Sequence, residues 1–169
     1  MEKDIIKQII LNKQEFISQV KLLPRKVSIE ENGNYVFVGI RRAGKTYMLY
    51  QHIQQLLKDG HSKQEILFIN FEDERITDIK KEELHLIVEC YKEMFAFEPI
   101  IFLDEIQNIE GWEHFARRLA DEKRQVFITG SVTSTMEAYP KVSVTQTSAP
   151  GSPPYIKKYS IRTLSLETT

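Results

Sequence analysis

The residues Gly39-Ile40-Arg41-Arg42-Ala43-Gly44-Lys45-Thr46 set two glycines, a lysine and a hydroxyl in the spacing G-x-x-x-x-G-K-[ST]. That spacing suits phosphate chemistry. Glycines let backbone N–H groups curl around an anion, and a helix that follows offers its positive N-terminal end. In such a loop Lys45 reaches the β- and γ-phosphates of a nucleoside triphosphate, and the Thr46 hydroxyl ligates Mg²⁺. Arg41 and Arg42 have two readings: they face the phosphates or a neighbouring subunit, or they are solvated loop side chains.

Farther along, Ile100-Ile101-Phe102-Leu103 ends in the acids Asp104 and Glu105. A carboxylate at the tip of a buried strand can hold Mg²⁺ through water, which assigns Asp104 to the Walker B role. Glu105 can polarise an attacking water for in-line hydrolysis. The pair points to a hydrolase rather than a small-molecule kinase, which has less need of a water-activating glutamate. Thr129 and Ser131, at the end of another apolar run, are candidate sensors of the γ-phosphate or plain turn formers. Glu72, Asp73 and Glu74 either approach this site or form an exposed turn. Arg117 and Arg118 either serve a second subunit or cover a solvated helix face. His52, His61, His85 and His114 show no metal-site spacing.

These groups need a frame. Ile5, Ile6, Ile9, Ile10, Phe16, Ile17 and Val20 recur at helical spacing over residues 4–20, an amphipathic helix. Pro24 and residues 30–34 read as linker and turn. Tyr35-Val36-Phe37-Val38 is a buried parallel strand that runs into the glycine loop. Met48 to Leu57 mark a helix closing near Gly60. Ile66 to Ile69 give a second strand, and Leu84, Ile87, Val88, Tyr91 and Phe95 another helical face. The third strand opens after Pro99, a helix begins at Gly111, and Val126-Phe127-Ile128 is the fourth strand. Strands alternating with helices imply right-handed crossovers and a mostly parallel sheet covered on both faces. After Ser131 the chain turns rich in Ser, Thr and Pro, and composition reads residues 132–169 as a disordered tail.

With 169 residues the chain suits one domain rather than two, and a hydrophobic share of 41% with 28% charged residues is that of an ordinary globular protein. A net charge of −1 gives no bulk pull toward nucleic acid or an anionic membrane, although a local basic patch is compatible with it. The single cysteine, Cys90, precludes an internal disulfide and reads as a small buried hydrophobe. No signal peptide or membrane span is legible, so the expected location is cytoplasmic.

Several pieces together are similar to a prokaryotic AAA-type ATPase family whose ATPase domain usually precedes a C-terminal domain of unknown function. They are Val38 to Thr46, Ile69-Asn70-Phe71-Glu72-Asp73-Glu74-Arg75, Phe102-Leu103-Asp104-Glu105-Ile106-Gln107-Asn108, Gly111-Trp112-Glu113 and Phe127-Ile128-Thr129-Gly130-Ser131. The resemblance covers about residues 35–131 and implies an AAA-like three-layer P-loop fold with ATP and Mg²⁺. Beyond Ser131 the family pattern is not recognisable, which suggests a fold truncated after its fourth strand or a frameshifted reading near residues 148–154.

The expected organisation is therefore an N-terminal helix and linker (1–34), a P-loop ATPase core (35–131) and a tail (132–169). The expected function is ATP binding with Mg²⁺-dependent hydrolysis, with a non-catalytic nucleotide module or an ATPase fragment as the alternative. ATP is the expected ligand, with self-association or a protein partner possible.

Overall fold

A computed structural model describes residues 2–23, 29, 34–39, 42 and 44–131, together with the backbone of 156–161. The linker at Pro24, residues 30–33, and Ile40, Arg41 and Ala43 of the glycine loop lie outside the described residues. So do 132–155 and 162–169, on which the expectation of disorder falls.

The described elements run α1 (Lys3–Gln19), β1 (Asn34–Gly39), α2 (Lys45–Lys58), β2 (Ile66–Asn70), α3 (His85–Met94), β3 (Ile100–Asp104), α4 (Trp112–Asp121), β4 (Val126–Ser131) and β5 (Ile156–Ile161). The strands form one sheet in the order β2-β3-β4-β1-β5, every neighbouring pair parallel. Parallel strands bury both faces, which is why β1, β3 and most of β2 and β4 are apolar without alternation.

Strand geometry sorts those side chains into two cores. Val36, Val38, Leu67, Ile69, Ile101, Leu103, Val126 and Ile128 face α3 and α4, packing with Cys90, Tyr91, Trp112 and Phe115. The alternate residues Tyr35, Phe37, Phe68, Phe102 and Phe127 face α2, against Met48, Leu49, Tyr50 and Ile53. One face is thus largely aliphatic and the other largely aromatic. On the aromatic face a ladder crosses the sheet: Tyr35 to Phe127 at 5.6 Å between ring centroids, Phe127 to Phe102 at 4.9 Å and Phe102 to Phe68 at 6.4 Å. These are cross-strand partners in register, the pairing that stabilises a sheet beyond burial alone. Cys90 is buried and in no disulfide.

α1 wraps the outer edge of β2. Its Ile6, Ile9 and Ile10 enter the aliphatic core and its Ile17 the aromatic one. Between them buried Gln14 donates from Nε2 to the Ile66 carbonyl at 2.8 Å. Gln54 of α2 then donates to the Ile17 and Val20 carbonyls at 2.9 and 2.6 Å, closing the free end of α1. An edge strand with unpaired carbonyls invites pairing with another chain, and α1 covers it.

Beside the four strands read from the sequence lies a fifth. β5 pairs with β1 from Asn34↔Ile156 to Gly39↔Ile161. Its sequence, Ile156-Lys157-Lys158-Tyr159-Ser160-Ile161, follows Pro153-Pro154 and lacks the continuous apolar run of a central strand. Lysines are typical of an edge, where they deter further pairing. Among the described residues no helix is long and apolar enough to cross a membrane.

Candidate functional site

In parallel α/β sheets, loops at the carboxyl ends of the strands converge, and ligands bind there. Here β1 ends at Gly39, β3 at Asp104 and β4 at Ser131. With β4 lying between β1 and β3, Ser131 pairs directly with Gly39, while Thr129 comes one position after the last β4–β3 pair, Ile128↔Leu103. Residues far apart in sequence are thereby set side by side.

The loop after β1 turns through left-handed backbone. Gly44 has φ +80°, where a side chain would be strained, and stands immediately before α2. Arg42 is also left-handed, with φ +63°, and its side chain is exposed. Lys45, 2% exposed, sits in the first turn of α2 and donates from Nζ to the Gly39 carbonyl at 3.4 Å. α2 has no side-chain cap at its N-terminus, so its first N–H groups are suited to an anion.

Asp104 is fully buried. The Thr46 hydroxyl lies 3.1 and 2.9 Å from its two carboxylate oxygens, and the buried Thr129 hydroxyl donates to Oδ1. Burial, opposed by those two hydrogen bonds, pushes the Asp104 carboxyl up to about 6. Thr129 also accepts the Glu105 backbone N–H at 3.0 Å. One hydroxyl thus fixes both acids.

Glu105 adopts left-handed backbone, φ +54° and ψ +43°, a conformation uncommon outside glycine and a small store of strain. Its Oε2 accepts from Gln107 Nε2 at 2.6 Å and from the Ser131 hydroxyl at 3.1 Å. Its Oε1 lies 3.7 Å from Lys45 Nζ. The loop after β2 is tied in as well, since the Phe71 N–H donates to the Asp104 carbonyl at 2.9 Å.

The fold therefore gathers Gly39, Gly44, Lys45, Thr46, Asp104, Glu105, Thr129 and Ser131 at one end of the sheet. In the acidic cluster after β2, Asp73 is bonded to Arg75 at 2.9 and 2.7 Å, and Glu72 and Glu74 are exposed. Arg117 and Arg118 lie exposed on α4. Gln107 acquires a role that residue type alone did not suggest, although it lay in the Ile106-Gln107-Asn108 run. Spacing offered the only signal, two residues after Glu105. For a hard cation, Thr46 and Asp104 supply a hydroxyl and a carboxylate within one hydrogen bond of each other, the oxygen donors that Mg²⁺ prefers.

A parallel three-layer sheet with a glycine loop between β1 and α2 defines an α/β protein of the P-loop, AAA-like class. The chain matches the family described as an AAA domain over residues 31–151, and it belongs to that family. The match extends past Ser131 into the Ser- and Thr-rich segment. The chain is 36% identical over 132 residues to the uncharacterized protein MJ1544 of Methanocaldococcus jannaschii, covering 77% of this chain and 29% of that protein. It is likewise 36% identical over 98 residues to an uncharacterized protein of Haemophilus influenzae, covering 57% of this chain and 24% of the relative. The chain thus spans less than a third of the length of these relatives.

Proposed function

We propose that this domain binds ATP with Mg²⁺ and hydrolyses it at the end of the sheet formed by β1, β3 and β4. The observation that carries the proposal is the continuous polar chain Thr46–Asp104–Thr129–Glu105–Ser131, with Lys45 beside Glu105. It links the phosphate loop to both acids through buried, hydrogen-bonded groups, whose rigidity suits electrostatic catalysis.

In this reading the loop and the first turn of α2 cradle the phosphates, and Lys45 exchanges its contacts with Gly39 and Glu105 for phosphate oxygens. Thr46 and Asp104 hold Mg²⁺, which when bound supplies neutralising charge to the phosphoryl oxygens. Glu105 orients the attacking water and accepts its proton through a carboxylate oxygen. Ser131, bonded to Glu105 and paired with the first loop glycine, links water position to the γ-phosphate. Thr129 is a positioning residue, since it is buried and holds Asp104 and Glu105 in register. A cytoplasmic location accords with this substrate.

A non-catalytic nucleotide module is the second reading. It is favoured by the engagement of Glu105, whose Oε2 accepts from Gln107 and Ser131 and whose Oε1 opens to water only when Lys45 moves to the phosphates. ATP binding and Mg²⁺-dependent phosphate release, measured beside Lys45→Ala and Glu105→Gln, separate the two. Hydrolysis predicts turnover lost in both variants, with nucleotide still held by Glu105→Gln. Binding without turnover in the unaltered chain selects the module, and a folded chain that binds no nucleotide refutes both.

A further inference from the structure

On the aliphatic side of the sheet, away from α2, a second concavity opens between the beginnings of α3 and α4. It is an open cleft of about 420 Å³, within the size range of small-ligand sites. Its lining concentrates basic and imidazole groups: Lys81, His85, His114 and Arg118. Glu82 is the one acid in that lining, 3.9 Å from Lys81 and well exposed, a pairing that neutralises little. Neither α3 nor α4 has a side-chain cap at this end.

The cationic groups are seated. The Arg118 guanidinium lies 5.4 Å from the centroid of the Phe115 ring, which forms part of the cleft wall and is itself buried. Its nearest acid, Glu122, is at 4.0 Å with both side chains half exposed. Lys81 runs its stem across Gly111, where an added Cβ would come within 2.9 Å of Lys81 Cδ. Gly111 also has φ +77°, where a side chain would be strained. The His85 ring is fixed through Nδ1, 2.8 Å from the Glu82 carbonyl oxygen. None of these residues belongs to the phosphate loop or the acid pair.

We propose that this cleft binds single-stranded nucleic acid, with Lys81 and Arg118 on phosphates and the flat faces of His85, His114 and Arg118 against bases. Two full cations interleaved with planar groups match a charged backbone that carries flat bases. An acidic peptide would use the cations and leave the planar groups idle. The volume suits one or two unstacked nucleotides rather than a duplex. The chain's net charge of −1 supplies no long-range attraction, so the interaction is local and its salt dependence small. Two phosphate contacts on a single strand give a slope of log K against log salt near about −1.4.

The test is fluorescence anisotropy of a short labelled oligothymidylate with the 169-residue chain, from low to physiological salt, with competition by an acidic peptide of equal charge. The expected result is saturable binding with that shallow slope, at least about tenfold weaker in Lys81→Glu/Arg118→Glu, whose slope flattens toward zero. His85→Ala/His114→Ala should weaken binding and keep the wild-type slope, which a purely electrostatic site would not do. Lys45→Ala should bind the oligonucleotide as wild type does, so this test stands apart from the nucleotide site. All of the substituted cleft positions are exposed, and matching thermal melts would show the variants to be folded. Absence of binding at low salt, equal binding by the charge-reversed variant, or equal competition by the peptide would overturn the proposal.

Discussion

Thr129→Val is the sharpest perturbation of the site, because valine keeps the shape of a fully buried side chain and removes only its hydroxyl. Two hydrogen bonds disappear, one donated to the Asp104 carboxylate and one accepted from the Glu105 N–H. A bond to a charged group contributes about 1.5–3 kcal/mol, and a buried N–H left without an acceptor costs about 1–3 kcal/mol. Asp104 keeps its contact with Thr46, so a net loss of about 2–4 kcal/mol is expected. For a domain of this size that lowers the melting temperature by roughly 10 °C. Loosening both acids should also reduce Mg²⁺-dependent phosphate release about ten- to a hundredfold, equivalent to about 1.4–2.7 kcal/mol in the barrier. Nucleotide affinity should change little, since Lys45 and the loop are untouched. Thr129→Ser, which keeps the oxygen, should recover most of both properties. Calorimetric melting and a phosphate-release assay on the two variants decide the matter. A valine variant that melts and turns over as wild type does, or a serine variant as impaired as valine, would refute the reasoning.

His52 lies against Phe127, with ring centroids 4.6 Å apart, and its buried Nε2 has no hydrogen-bond partner among the described residues. Burial pulls this imidazole down to about 4. The unfolded chain therefore binds a proton that the folded chain refuses, and stability falls as pH drops from about 6.5 toward 4, by about 1–3 kcal/mol after allowance for solvent screening. Urea midpoints at neutral and acidic pH should show a smaller acid loss in His52→Phe than in wild type, and identical losses would exclude His52 as the source. Gln14→Leu removes the cover of the Ile66 carbonyl and should cost about 1–3 kcal/mol. It should also raise concentration-dependent association through the β2 edge, measurable by light scattering; an unchanged melt and a monomeric profile would show that the contact contributes nothing.

Much of the architecture was legible because it rests on local periodicity. Continuous apolar runs at Tyr35–Val38, Ile66–Ile69, Ile100–Leu103 and Val126–Ile128 have the pattern of strands buried on both faces. The helical spacings between them leave a parallel sheet as the consistent arrangement. The glycine loop was equally legible, because its chemistry needs particular residue types at fixed spacing over a few positions. β5 was hidden, since an edge strand needs no continuous apolar run and Lys157, Lys158 and Ser160 mask its period.

Tertiary structure alone decided which polar groups meet. Residue type left Thr129 and Ser131 equivalent as sensors, but two positions along a strand separates them. Thr129 falls opposite the end of β3 and locks the acid pair, while Ser131 falls beside Gly39 and touches Glu105. The same holds for Gln107 on Glu105, for Gln14 on the β2 edge, and for the cleft that draws Lys81 and Arg118 together from different elements. Side-chain period and motif spacing are properties of neighbours along the chain. A hydrogen bond across the sheet depends on register and strand order, which the whole fold sets at once.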